Sequence, residues 1–158
     1  MEHYCGDMSQ LVPHRGTMCL LDGVDAWDAD HIVCRATSHL RPDNPLRDDS
    51  GLRTLCAIEY GAQAIAAHAA LVSGGPGQRV REGVLASLRN IRTTLSHLDG
   101  LKGALTILAR LQLSHQQGCI YDVTVTGDGQ TVLSGRLSVM RLPDTPDEVR
   151  PHLREGAA

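Results

Sequence analysis

Ala57-Ile58-Glu59-Tyr60-Gly61-Ala62-Gln63-Ala64-Ile65-Ala66-Ala67-His68-Ala69-Ala70-Leu71-Val72 is the stretch on which the fold turns. Small and apolar residues occupy nearly every side of this helix, and such a helix belongs in the interior. Ser73-Gly74-Gly75-Pro76-Gly77 stops it. A carboxylate in such a helix must be paired, hydrogen-bonded or protonated. Glu59 is that carboxylate, and Gln63, four residues on, shares its face and can hold it. A lone acid on a central helix is a candidate for proton transfer. The plainer alternative is a helix N-terminal carboxylate that complements the dipole.

The flanking sequence predicts strands. One lies around His31 to Ser38, rich in Ile, Val and Thr. It follows a short apolar run, Met18 to Leu21. Four more follow the helix, at 83–95, 101–114, 118–126 and 130–142. In the second of these, Thr106, Leu108, Arg110 and Gln112 alternate with Ile107, Ala109, Leu111 and Leu113. Gly127-Asp128-Gly129 joins the last two as a hairpin turn. The economical solution is α+β: an antiparallel sheet wrapped around one central helix. One subunit covers such a helix incompletely, so a dimer is expected. Residues 1–142 form a single domain in this reading. The Pro- and charge-rich tail, 143–158, is expected to be partly disordered.

Composition removes several function classes. The chain has 158 residues, of which 42% are hydrophobic, enough for one core. Its formal net charge is -3 and its basic residues are dispersed, so nucleic acid is not an expected partner. The N-terminus is polar and no apolar run makes a convincing membrane span, so neither a signal peptide nor a membrane is expected. Five cysteines, an odd number with no CxxC pair, favour reduced thiols and a cytoplasmic setting. No metal site is expected, since no HExxH or similar pairing occurs among the eight histidines. The glycine cluster after the helix lacks the Lys-Ser/Thr of a phosphate loop. No serine occupies a GxSxG elbow.

Three motifs carry a resemblance. Leu11-Val12-Pro13-His14-Arg15-Gly16-Thr17-Met18-Cys19-Leu20-Leu21-Asp22-Gly23-Val24 resembles the opening segment of the 3-hydroxyacyl-acyl-carrier-protein dehydratases. His39-Leu40-Arg41-Pro42-Asp43-Asn44-Pro45 looks like the HFPGNP segment of that family with one residue inserted, and Glu59-Tyr60-Gly61-Ala62-Gln63 looks like its E-A-x-A-Q segment. The NPLR loop and the I-E-Y-x-A-Q pattern are similar to the ApeP-like branch, associated with aryl polyene biosynthesis. Order and context agree over roughly the first 73 residues. The Phe and Gly of HFPG are absent, and the loop before Glu59 is longer than in the fatty-acid enzymes. An ungapped count back from Glu59 lands on Pro45, which cannot do the chemistry.

The resemblance implies a hotdog fold, and dehydration of a 3-hydroxyacyl thioester carried by acyl carrier protein to a trans-2-enoyl thioester. It implies His39 and Glu59 as catalytic residues, with the two groups of one site drawn from different subunits. Gln63, Asn44, Pro45 and Cys56 would bind or orient substrate. The chemistry asks for a base at C2, an acid at the C3 hydroxyl and a polarised carbonyl. A neutral histidine, with a reference pKa near 6.5, fits the first role. A carboxyl in an apolar setting fits the second. Unpaired backbone N–H groups near Cys56 to Glu59 could hold the carbonyl oxygen. No metal or organic cofactor is required. His14 reads as structural, holding the N-terminal segment, and His68 as a satisfied core or interface histidine. Arg79, Arg81, Arg89 and Arg92 read as solvated strand residues, with a rim for an acidic carrier protein as the alternative. Two other functions stay open. One is a hotdog thioesterase using water; the other is a non-catalytic acyl-binding partner of an active dehydratase. Both homodimer and heterodimer fit.

Overall fold

A computed structural model describes residues 1–78 and 83–142. The expected tail, with Arg79 and Arg81, lies outside the described residues. Seven strands form one antiparallel sheet: β1 (Glu2–Tyr4), β2 (Gly23–Trp27), β3 (His31–Ala36), β4 (Gly83–Thr93), β5 (Leu105–His115), β6 (Gly118–Gly127) and β7 (Gln130–Arg141). Their order is β1-β2-β3-β5-β6-β7-β4. The long helix α1 (Ala57–Val72) packs on β3, β5, β6 and β7. This is the hotdog architecture that the motifs imply.

The helix ends as its glycines require. Gly75 N–H donates to the Ala70 carbonyl and Gly74 N–H to that of Leu71. Gly74 has φ 111° and Gly75 φ 88°, so the stop is a Schellman motif. At the other contact-setting position, a Cβ on Gly61 would lie 2.8 Å from Val123 Cγ1. Glycine therefore lets α1 lie close against β6. By length and composition the stretch Thr54–Val72, with mean hydropathy 1.3, could cross a membrane. Here it is a core helix instead, with Tyr60, Ala64, Ala67 and Leu71 buried among Ile107, Val123 and Leu137.

Two strands escape the sequence reading. β1 has only three residues, and β2 is bulged between Val24 and Ala26 against β3. The bulge spoils the alternation on which a strand is recognised. β5 starts later than expected because the Asp128 carboxylate captures Lys102 N–H at 2.9 Å and Gly103 N–H at 2.8 Å. Asp128 and Gly129, with φ 48° and 78°, make the expected two-residue hairpin turn. At the far edge, β4 has no strand on its outer side among the described residues. Val84, Leu85 and Leu88 on it are 40–45% exposed.

Candidate active site

The sheet-facing side of α1 is buried, but a second stripe is not. Glu59, Ala62, Ala66 and Ala69, spaced three, four and three residues apart, are half-buried. Such spacing places them on one helical face. They line a groove of about 480 Å³, closed on one side by Gln10 to His14 and reaching Arg141. A second cavity of about 550 Å³ shares Ala69, Cys119 and Arg141 with it and continues past Ser73 to Tyr121. The helix is thus less enclosed than its composition suggests. The Glu59 side chain, expected to be buried, is 31% exposed at the groove.

Gln63 fixes the local geometry. Its Oε1 accepts from Leu20 N–H at 2.9 Å, and its Nε2 donates to the Met18 carbonyl at 2.7 Å. These two bonds set which end of the amide is which. The same Nε2 reaches Glu59 Oε1 at 3.4 Å. The segment that Gln63 pins to the helix follows directly on His14, and His14 Nε2 stands 3.2 Å from Glu59 Oε1. Both nitrogens approach Oε1. Oε2 has no protein partner among the described residues.

The other expected residues gather elsewhere. Ser38, His39 and Leu40 form a 3-10 turn, and Asn44 Nδ2 donates to the Ser38 carbonyl at 2.9 Å and to Tyr60 Oη at 3.1 Å. Asn44 Oδ1 accepts from Leu46 N–H at 2.9 Å. Asn44 is 3% exposed, so its amide shapes the loop rather than facing a ligand. Arg47 donates to the His39 carbonyl at 2.9 Å while pairing with Asp99. The His39 ring is 1% exposed and lines neither cavity described above. Neither ring nitrogen has a partner with hydrogen-bond geometry, although the Gly103 backbone and Asp128 lie nearby. Burial holds its pKa below the ordinary imidazole value, so the ring is neutral. Pro45 is exposed.

Cys56 is half-buried, its thiol 3.7 Å from the Leu46 carbonyl and its pKa raised by burial. The backbone around it corrects one expectation. A 3-10 turn, Thr54–Cys56, runs straight into α1. Cys56 N–H donates to Arg53 and Ala57 N–H to Thr54, so these two groups are not free to hold a carbonyl oxygen. His68 is satisfied, as expected: Nε2 meets the Asp28 carbonyl at 2.7 Å and Nδ1 meets Tyr121 Oη at 2.7 Å. The carbonyl can only accept, so Nε2 carries the proton and Tyr121 donates to Nδ1.

The chain belongs to the ApeP-like dehydratase family, whose model, described as ApeP dehydratase, matches residues 6–150. Among solved structures it is similar to the dehydratase heterocomplex ApeI:P from Xenorhabdus doucetiae. That match has a TM-score of 0.77 and 22% identity, covering 89% of this chain and 94% of the other. A hypothetical thioesterase with coenzyme A from Streptococcus pneumoniae TIGR4 matches with TM-score 0.55 and 15% identity, over 75% and 84% of the two chains. The E. coli PaaI protein from the phenylacetic acid degradation operon gives 0.54 and 17%, over 75% and 81%. These likenesses show a shared fold. A search of curated proteins returned no match.

The two buried histidines give a pH prediction. Burial lowers the pKa of both His39 and His68 from the ordinary 6.5. Between that value and the lower folded values, the unfolded chain binds more protons than the folded one. Stability is therefore full above about pH 6.5 and is lost as pH falls through this window, with a slope of up to about 1.4 kcal/mol per pH unit for each ring. Urea unfolding at pH 7.5 and 5.5 should show the loss, and His68→Gln should shrink it. An equal loss in that variant would remove His68 from the account.

Proposed function

We propose that the protein dehydrates 3-hydroxyacyl thioesters presented by acyl carrier protein, giving trans-2-enoyl thioesters in fatty-acid-like or aryl polyene biosynthesis. The observation that carries this reading is Glu59, anchored through Oε1 at the head of an apolar groove with Oε2 unengaged. Family membership supports the reaction class. Glu59 supplies the acid of the pair, and the acyl chain runs along Ala62, Ala66 and Ala69. On the motif reading, the base is His39 of a partner subunit.

Assembly belongs to the same proposal. The edge of β4, unpaired among the described residues, and its exposed Val84, Leu85 and Leu88 suit a second hotdog subunit, either a copy or a relative. Leu85 also lines the groove, so a subunit there would help to close it. ApeI:P is itself a heterocomplex. The five free thiols suit a reducing cytoplasm.

The test incubates the protein, purified with any subunit that accompanies it, with a 3-hydroxyacyl thioester of acyl carrier protein. Absorbance of the conjugated enoyl thioester is followed alongside free thiol and particle mass. Enoyl product supports dehydration; thiol release without it would replace this reading by a thioesterase. Neither product would leave a non-catalytic acyl-binding role, and a monomeric active particle would remove the partner. Ala66→Leu, which fills the groove, should raise KM for long acyl chains at least tenfold while sparing four-carbon ones. Burial of each methylene contributes about 0.8 kcal/mol, so losing two or three contacts suffices. Unchanged chain-length preference would move the acyl path elsewhere.

A further inference from the structure

The groove does not close where the alanine stripe ends. Ala69, Cys119 and Arg141 border both the groove and the second cavity, so a chain lying along Ala62, Ala66 and Ala69 leads into that chamber. Beyond the passage the walls carry polar side chains: His68, Tyr121, Ser114, Gln116 and Arg141. We propose that this chamber receives the far end of the acyl chain and selects a terminus that bears a hydroxyl group. The inference rests on the dehydration reading above and narrows the substrate class of that site.

Two sets of hydrogen bonds fix what the chamber can read. The proton on His68 Nε2 is committed to the Asp28 carbonyl, and Tyr121 gives its own proton to His68 Nδ1. Burial raises the Tyr121 pKa, so its hydroxyl keeps that proton. Toward a ligand, Tyr121 Oη can therefore only accept. On the other side, Arg141 Nη1 donates to the His115 and Gln116 carbonyls, and Nη2 donates to Ser114 Oγ at 3.4 Å. Ser114 Oγ accepts there, which leaves its own proton to donate. The chamber thus offers an acceptor at Tyr121 and a donor at Ser114. A terminal hydroxyl can give a hydrogen bond to the first and take one from the second. A methyl terminus desolvates both and returns nothing. A carboxylate suits Arg141 but meets, at Tyr121, an oxygen with no proton to give.

Distance decides which substrates can use the chamber. Glu59 and Ala69 are ten residues apart on α1. At a rise of about 1.5 Å per residue, the passage lies about 15 Å along the helix from the reacting carbons. C–C bonds of about 1.5 Å then require at least about ten bonds to reach it. A short acyl chain stops in the groove, and its terminus goes unread. Ser114 and Gln116 at the outer rim are exposed, so the chamber opens to solvent and a polar terminus is not sealed in an apolar wall.

The experiment measures kcat and KM of the wild-type complex on sixteen-carbon 3-hydroxyacyl thioesters of acyl carrier protein that end in methyl, hydroxyl or carboxylate, and on their six-carbon counterparts. On the long chain, the terminal hydroxyl should lower KM at least about tenfold relative to methyl, because a site with hydrogen-bonding groups rejects the analogue that lacks the partner. On the six-carbon chain it should give no advantage. Tyr121→Phe should cut the long-chain advantage to within about twofold, since its ring still lines the chamber but offers no oxygen; circular dichroism melting checks that it is folded. Ala69→Leu leaves the His68–Tyr121 pair in place and narrows the passage, so it should raise KM for the hydroxylated sixteen-carbon probe more than for the six-carbon one. Equal KM for methyl and hydroxyl termini in the wild type would overturn the inference while dehydration stands, and so would a preference for carboxylate. An advantage that persists in folded Tyr121→Phe, that already appears at six carbons, or that Ala69→Leu leaves untouched would also overturn it, by placing the terminus elsewhere. A wild type that forms no enoyl product from any probe would overturn both readings, and that outcome is visible before any variant is made.

Discussion

Glu59→Gln should reduce dehydration by about 10³-fold while leaving the fold intact. The amide matches the carboxyl in shape, and its oxygen can still accept from Gln63 Nε2, the 3.4 Å contact on Oε1. It cannot give up a proton as a carboxyl does, and transfer by a positioned acid or base contributes typically 10²–10⁴-fold. Little stability is at risk, since the side chain is 31% exposed and lies on the groove stripe, away from the sheet-facing side. Glu59→Asp gives a finer test. It keeps the chemistry but withdraws the carboxyl by one methylene, and a displacement of about 1 Å can cost on the order of 10²-fold. The measurement is enoyl absorbance under saturating substrate, with circular dichroism melting of each variant. A Glu59→Gln rate within threefold of wild type would remove Glu59 from the chemistry. An equal loss in Glu59→Asp and Glu59→Gln would show that position matters as much as charge.

The parts of this site that follow from local spacing were legible in the sequence. Glu59 and Gln63 are one helical turn apart, and their contact needs nothing beyond helix geometry. The Asp128-Gly129 turn and the glycine stop after Val72 are local too. What the sequence hides is set by pairing at a distance. His14 meets Glu59 because Gln63 captures backbone groups at Met18 and Leu20. The signal that could have found it was the Pro-His-Arg segment, which reads as a structural tie when taken alone. His39 is buried away from the groove lining, with the Gly103 backbone and Asp128, both far along the chain, nearby. Of the free N–H groups expected near Cys56 to Glu59, those of Cys56 and Ala57 are engaged because a 3-10 turn extends the helix backwards by a few residues, and no residue there forbids it. The bulged strand β2, which lies between β1 and β3, is defined by its neighbours more than by its own alternation.

Tyr60 should prove the most stabilising side chain in the loop network, and its removal should threaten the fold rather than the chemistry. It is fully buried on the face of α1 opposite the groove stripe. Its hydroxyl stands 2.7 Å from Ser38 Oγ and accepts from Asn44 Nδ2 at 3.1 Å. Ser38 Oγ donates to the Leu20 carbonyl at 2.8 Å, which leaves Tyr60 as the donor to Ser38. Leu20 is therefore held at both ends, its N–H by Gln63 and its carbonyl by Ser38. Tyr60→Phe keeps the packing but strands one buried Asn44 N–H, a loss of about 1–3 kcal/mol. Tyr60→Ala adds a cavity, and deleting a buried aromatic ring costs about 3–5 kcal/mol. Total stability of a domain is about 5–15 kcal/mol, so the second variant should be largely unfolded or close to it. Urea unfolding of wild type, Tyr60→Phe, Asn44→Ala and the double variant forms a closed cycle. The double variant should cost clearly less than the two single changes added together, because each single change strands the other's partner. Strict additivity would break the network as drawn. If the network also served catalysis through the His39 loop, Tyr60→Phe would lower kcat in step with stability. If the network serves the fold alone, the folded fraction of Tyr60→Phe should instead turn over at close to the wild-type rate.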